Sequence, residues 1–239
     1  MGGAASQAPD GVDETAAVRG GGGIPRGDRN ADGALRLARK MFMAEGRIDS
    51  QRLAAALEVD RTTLFRWVGN RDQLLVSVLT ALADPTLRDA AASATGTGPE
   101  RIALVMRTFS QALIDAPYYR AFLEREPERA LRLITTKASP LQQHVVAAVQ
   151  RLLEREQDRG HLSSSMDLTD LAYIVVRIAE SFIYADLITG EEPDPGKVQL
   201  AVAAVLYGSP QTQSDAGRPN LAGRSTDDSR RRHHGQPAG

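Results

Sequence analysis

Apolar residues recur at intervals of three and four from Leu35 to Leu206, and no stretch alternates apolar with polar over a strand length. That spacing belongs to helices with one buried face. It predicts about nine helices, over 33 to 45, 50 to 57, 61 to 68, 71 to 82, 99 to 115, 118 to 136, 139 to 159, 167 to 188 and 195 to 207. Asp60, Ser139 and Asp167 stand where N-caps belong, and Gly46, Gly160, Gly190 and Gly208 where helices end. Pro85, Pro117, Pro127, Pro140 and Pro195 sit near the expected breaks. The expected fold is all-α, an N-terminal three-helix helix-turn-helix unit over 33–83 followed by a helical-bundle body over 84–208. The Asp84-Pro85 pair is expected to end the fourth helix and mark the boundary.

The two ends break this pattern. Residues 1–32 hold a glycine run at 20–23 and few large apolar side chains, and residues 209–239 are rich in Ser, Asp, Gly and Arg. Both read as disordered tails. With the tails set aside, a 239-residue chain that is 42% hydrophobic still has enough apolar material for a sizeable core. Cysteine is absent, which excludes disulfides, thiolate metal sites and thiol nucleophiles and is compatible with a reducing cytosol. No apolar run reaches the roughly 18 to 20 residues that span a bilayer, and the N-terminus lacks the apolar core of a secretion signal. A soluble, cytoplasmic protein with no membrane partner is therefore expected. The opening MGGAAS fits the loose N-myristoylation pattern, which a Gly/Ala-rich start also yields by chance.

Within 33–83, Leu35, Ala38 and Phe42 fall on one face of the first helix, and Leu53 and Leu57 on one face of the second. Val59, Leu64 and Val68 can close the core between them. Arg61, Thr62, Thr63, Phe65, Arg66 and Trp67 are then the outward positions of the third helix. The segment holds eight basic and five acidic residues in a chain of formal net charge −1. Positive charge is concentrated where phosphate would lie. Charge alone would equally suit a solvated cap, so the spacing of the motif has to decide.

That spacing resembles the TetR/AcrR family of bacterial regulators, whose pattern is I-A-x-x-A-G-V-S, then a short recognition helix ending Tyr-x-His-Phe, then Lys-Glu-x-Leu. The matching positions are Leu53-Ala54, Val59-Asp60, Thr63-Leu64-Phe65, Trp67-Val68 and Arg71-Asp72-Gln73-Leu74. Glu58 replaces the turn glycine, Phe65 the tyrosine, Trp67 the histidine and Val68 the phenylalanine. A left-handed Glu58 would cost roughly 1 to 2 kcal/mol. Phe65 has no hydroxyl to offer a phosphate, but its ring can meet a thymine methyl.

The resemblance implies a homodimeric transcriptional repressor that binds a double-stranded operator and is released by a small-molecule effector. It implies that Arg61, Thr62 and Phe65 face base edges, an arginine at that place being able to grip guanine bidentately. Thr63, the Trp67 indole N–H and Arg71 become phosphate contacts, with Ser50 or Gln51 helping at the start of the preceding helix. Arg66 would serve either purpose. The alternative, resting on the four departures, is a helical dimeric interaction module whose altered reader no longer binds DNA.

In the body, Val198, Ala201, Val202, Val205 and Leu206 form an apolar stripe that suits a two-fold interface or packing on the chain's own core. Residues 170–190 place Arg177 and Glu180 in an otherwise apolar helix, on a face shared with Tyr173, Ser181 and Tyr184. Burying that set demands that the charges pair. One reading makes it the polar lining of an effector pocket walled by Met106, Phe109, Leu113, Tyr118, Phe122 and Ile134. The other makes it an internal ion pair that fixes the helix. The stretch also resembles the C-terminal part of QsdR-type regulators, which implies a lactone or acyl-type effector. Catalytic constellations are missing: the glycine run has no following Lys-Ser/Thr, and no G-x-S-x-G elbow occurs. His144 and His161 lack ligand spacing, and His233 and His234 sit in the tail beside the arginines at 230–232. No enzyme activity, metal or cofactor is expected.

Overall fold

The computed structural model describes residues 29–136 and 138–208. The MGGAAS start, the glycine run, the 209–239 tail and its histidine pair lie outside them. Every regular element among the described residues is a helix: α1 (Ala31–Glu45), α2 (Ser50–Ala56), α3 (Arg61–Val68), α4 (Arg71–Ser93), α5 (Gly98–Ile114), α6 (Pro117–Arg125), α7 (Pro127–Thr135), α8 (Pro140–Asp158), α9 (Leu168–Ile183), α10 (Ala185–Ile188) and α11 (Pro195–Gly208). None of them is long and apolar enough to cross a membrane. The first helix begins before residue 33, so Ala31 and Asp32 belong to α1 and not to a tail.

Local chemistry sets most of the starts. Asn30, Asp49, Asp60, Ser139 and Asp167 each accept from backbone N–H groups of the first turn they precede. Asn70 and Gln73 close a capping box on α4, with bonds of 2.9 and 2.7 Å. Gly46 ends α1 at φ 65°, and a Cβ there would lie 2.8 Å from the Tyr118 carbonyl oxygen and 2.9 Å from the Ala121 Cβ. Only glycine lets α6 pass this close to α1.

Proline acts in two opposite ways. Pro117, Pro127, Pro140 and Pro195 open α6, α7, α8 and α11, where the missing N–H is not needed. Pro85 does not break α4, contrary to the expected boundary, and the helix continues to Ser93. Losing that backbone bond costs about 3 kcal/mol, which the burial of Leu79, Leu82, Leu87 and Ala90 on both sides of the proline offsets. Conversely, the single helices expected over 118–136 and 167–188 are each divided, at Glu126 and at Tyr184.

The turn between α2 and α3 carries Glu58 at φ 56°, the one left-handed non-glycine among the described residues. Its carboxylate pairs with Arg29 on the surface. The core of the first three helices holds Ala34, Ala38, Phe42, Leu53, Leu57 and Leu64, with Leu35, Val59 and Val68 packed at its margin. In the body, α5 lies at the centre, against α4, α9 and α11, and α8 packs along α9.

The apolar stripe of α11 turns inward: Val198, Val202 and Leu206 are buried against the chain's own helices. Of the two readings of that stripe, these three side chains take packing on the chain's own core, while Ala201 and Val205 stay half-buried. The large apolar side chains that α11 leaves in solvent are Leu200, 73% exposed, and Tyr207, 66% exposed. Tyr173 on α9 is exposed as well. At the far end of the body the Glu156 carboxylate is buried, and it accepts from Gly98 N–H at 2.8 Å and from Arg159 at 3.0 Å, with Arg101 at 3.3 Å. These bonds tie the end of α8 to the start of α5 and hold the carboxyl below its ordinary pKa despite burial.

Candidate DNA interface and effector cavity

Asp60 fixes the exposed helix of the N-terminal unit. Its Oδ1 accepts from Thr63 N–H at 2.8 Å and its Oδ2 from the Thr63 hydroxyl at 2.9 Å. Both bonds favour the carboxylate and lower its pKa. Arg61, Thr62 and Arg66 project into solvent from α3, and the Arg61 guanidinium sits 5.6 Å from the Phe65 ring centroid. A stacked guanidinium keeps its fork of N–H donors free while losing part of its rotational freedom.

An open groove gathers Ser50, Gln51, Arg61, Phe65 and Arg71 with Arg47, Ile48 and Asp49. Arg47 is on this groove although the motif did not single it out; its position in the loop before α2 was the only signal. The Gln51 N–H is already engaged by Asp49 at 2.8 Å, so its side chain is what faces the groove. Thr63 is half-buried with its hydroxyl proton spent on Asp60. Trp67, expected to point outward, packs partly against the core. Arg71 reaches Glu126 at 3.8 Å and stays more than half exposed.

The body forms a second concavity, partly open to solvent. Its walls come from α4, α5, α6, α7, α8 and α9, a convergence that only the tertiary fold creates. Met106, Phe109, Leu113, Tyr118 and Ile134 line it as the sequence suggested, with Glu180 and Tyr184 on its polar side. Phe122 does not: it is buried against Phe42 of α1, ring centroids 5.7 Å apart. Tyr173 points to solvent, and the exposed Ser181 hydroxyl donates to the Arg177 carbonyl at 2.9 Å. A helical face drawn through residues 173 to 184 is wider than the strip that meets the cavity.

Arg177 also stays off the cavity wall. Its guanidinium donates to Glu180 at 2.6 Å and to the Thr135 carbonyl at 3.0 Å. The two sequence readings thus meet in one pair, with Glu180 on the wall and Arg177 pinning it from behind. The Gln142 carboxamide nitrogen faces Glu180 Oε1 at 2.6 Å and the Ile134 carbonyl at 3.0 Å. Burial nevertheless outweighs these partners and pushes the Glu180 carboxyl up to about 7. Beside it the hydroxyls of Tyr119 and Tyr184 lie 2.6 Å apart, both phenols raised by burial.

Sequence reasoning missed Leu79, Leu82, Ala83 and Thr86 of α4 and Leu141, Gln142 and Val145 of α8. The helical spacing of Leu75, Leu79 and Leu82 was the available signal, and the expected helix end before Pro85 left Thr86 off that face. Among the described residues, no cluster of three His, Asp or Glu could hold a metal ion. His144 is taken by Asp84 at 2.6 Å, and His161 lies 3.4 Å from Glu156.

Two regions are joined at the start of α4. Asp72 accepts from Arg129 of α7 at 2.6 and 2.9 Å and from Arg132 at 3.1 Å, and Arg129 also binds Glu126 at 2.5 Å. These partners depress the Asp72 and Glu126 carboxyls, Arg129 first among them.

Comparison with known proteins bears on both regions. Residues 97–207 match the family model described as Tetracyclin repressor-like, C-terminal domain. No curated protein sequence matches the chain. Among solved structures, the transcriptional repressor QsdR from the TetR family of R. erythropolis superposes with a TM-score of 0.70 at 30% identity, over 77% of this chain and 96% of that one. The fatty acid degradation regulator FadR from Bacillus halodurans aligns over 77% and 96% of the two chains at 14% identity and a TM-score of 0.46. The TetR family transcriptional regulator PfmR from Thermus thermophilus aligns over 73% and 97% at 19% identity and a TM-score of 0.39. The last two overlaps are too loose to carry an argument. The first spans the helix-turn-helix unit and the body together at an identity that fixes kinship, and with the C-terminal model it places this chain in the TetR family of transcriptional regulators.

Proposed function

We propose that the chain is a homodimeric repressor whose reader, residues 33–83, leaves its operator when a lactone or acyl-type effector fills the cavity of the body, residues 84–208. Arg61, Thr62 and Phe65 read base edges in the major groove. Ser50, Gln51, Arg47 and Arg71 hold phosphates, and Arg66 serves either purpose. Thr63 and Trp67 are the weaker members of the contact set, since one has spent its hydroxyl proton and the other is partly covered. Leu200 and Tyr207 with Tyr173 supply the apolar surface of the two-fold interface. Two readers then meet successive major grooves about 34 to 36 Å apart.

The observation that carries this reading is the double service of α4. Its first residue stands on the groove beside Arg61, and its middle, from Leu79 to Thr86, walls the cavity. A ligand that spreads the cavity tilts the helix on which the reader is mounted, and the ion-pair cluster at Asp72 transmits the tilt as a rigid unit.

Fluorescence anisotropy with operator candidates from upstream DNA and with a randomised library, across a salt series, tests it. A preference of about a thousandfold over unrelated DNA is expected, with Arg61→Ala costing about 1 to 3 kcal/mol and relaxing one operator position. Absence of binding to any DNA even at low salt would refute the reading and leave a dimeric interaction module.

A further inference from the structure

The cavity's polar wall has one proton too many. Tyr119 and Tyr184 are both buried and both on the wall, and their hydroxyls bond each other at 2.6 Å. Two hydroxyls carry two protons, and the bond between them uses one. Neither oxygen has another hydrogen-bond partner among the described residues. One phenolic O–H is therefore left over on the mostly apolar wall of the cavity, and a buried donor without an acceptor costs about 1 to 3 kcal/mol.

The ionisable groups on the wall are equally one-sided. Among the described residues, Glu180 is the only acidic or basic side chain lining the cavity, and Arg177, its partner, approaches from outside the wall. Gln142 completes the set around that carboxyl. A ligand carboxylate brought into this space would meet a second carboxyl and no cation, in a medium where both are poorly solvated. A carbonyl, ester or ether oxygen has no such difficulty and can accept the spare proton.

We propose that the cavity takes an uncharged, mainly apolar molecule bearing a carbonyl-type acceptor, held by the spare proton of the Tyr119–Tyr184 pair, and that it rejects carboxylic acids of the same skeleton. The proposal rests on the cavity being the effector site and adds the chemistry that site selects. Apolar contact with Met106, Phe109, Leu113 and Ile183 supplies most of the affinity, and the phenol pair supplies the preference.

Three probes of one carbon count separate the contributions: butylbenzene, butyrophenone and 4-phenylbutyrate, titrated calorimetrically into the full chain at neutral pH. Butyrophenone is expected to bind about fivefold tighter than butylbenzene, the worth of one net hydrogen bond, and 4-phenylbutyrate at least about tenfold weaker than the ketone. In the double variant Tyr119→Phe/Tyr184→Phe the ratio of ketone to butylbenzene affinity should fall to about one. Removing both partners leaves no orphaned donor, so this variant keeps its fold, which thermal melting verifies. A ketone preference that survives in the double variant, or an acid that binds as well as the ketone, overturns the proposal. If neither butylbenzene nor butyrophenone binds the unaltered chain, the effector-cavity reading itself falls, and the inference falls with it.

Discussion

The ring of Phe42 on α1 meets the ring of Tyr118 on α6 edge to face, with centroids 5.8 Å apart and planes at 68°. Tyr118 lines the cavity, while Phe42 is fully buried in the core of the reader. One aromatic contact thus bridges the cavity and the helix-turn-helix unit, and Gly46 permits the approach of the two helices that makes it.

Phe42→Leu should weaken communication without touching the ligand. Effector affinity of the free protein stays unchanged, whereas the effector-induced loss of operator affinity, about 1 to 3 kcal/mol for a coupled pair of sites, falls to less than half. A thermodynamic cycle of four dissociation constants measures it; an unaltered coupling energy would remove this contact from the linkage.

Glu180 should make stability fall with rising pH. Its carboxyl has a folded-state value of about 7 against an ordinary 4.5, so the native state holds a proton that the unfolded chain releases. The stabilisation is complete below about 4.5 and is lost as pH climbs through 7, up to about 3 kcal/mol in all. Urea midpoints between pH 5 and 8 should slope downward, and Glu180→Gln should flatten the slope; an unchanged profile would place the titration elsewhere.

Glu156 should show the opposite sign. Its carboxyl is held below 4.5 by the Gly98 N–H and the surrounding cations, so its contribution is present above that pH and disappears in acid. Glu156→Gln should cost about 3 kcal/mol at pH 7, because Arg101 loses its carboxylate partner in a part-buried site. Chemical denaturation at pH 7 and in progressively more acid buffer distinguishes the two states: the gap between variant and parent should narrow as pH falls below 4.5.

Leu200→Asp should dissociate the dimer while sparing the subunit's fold. Leu200 is 73% exposed in the single chain, so the charge costs little unless a second subunit covers it. Sedimentation velocity should show a shift to monomer with retained helicity, and operator affinity should drop with it. A variant that remains dimeric would move the interface off this face.

Some of this was legible from individual residues. Asp60, Ser139 and Asp167 are caps because a short acceptor before a helix has few other uses, and they are found in that place. The left-handed turn at Glu58 followed from the position a glycine holds in related sequences. Leu64 inward with Arg61, Thr62 and Arg66 outward followed from helical period alone. Pro85 misled, because a proline's local cost was read without the packing that outweighs it. The α11 stripe was undecided for a different reason: periodicity shows that a face is apolar, never which neighbour covers it.

The amino-acid sequence by itself determined the helical class, the caps and the reader with its concentration of positive charge, since each depends on interactions within a few residues of chain. Only the tertiary structure decided that Glu180, Tyr119 and Tyr184 share one wall, that Arg177 stands behind it, and that α4 runs unbroken from the groove to the cavity. Those relationships join residues far apart in sequence, and their energies come from burial and from partners that no local pattern encodes.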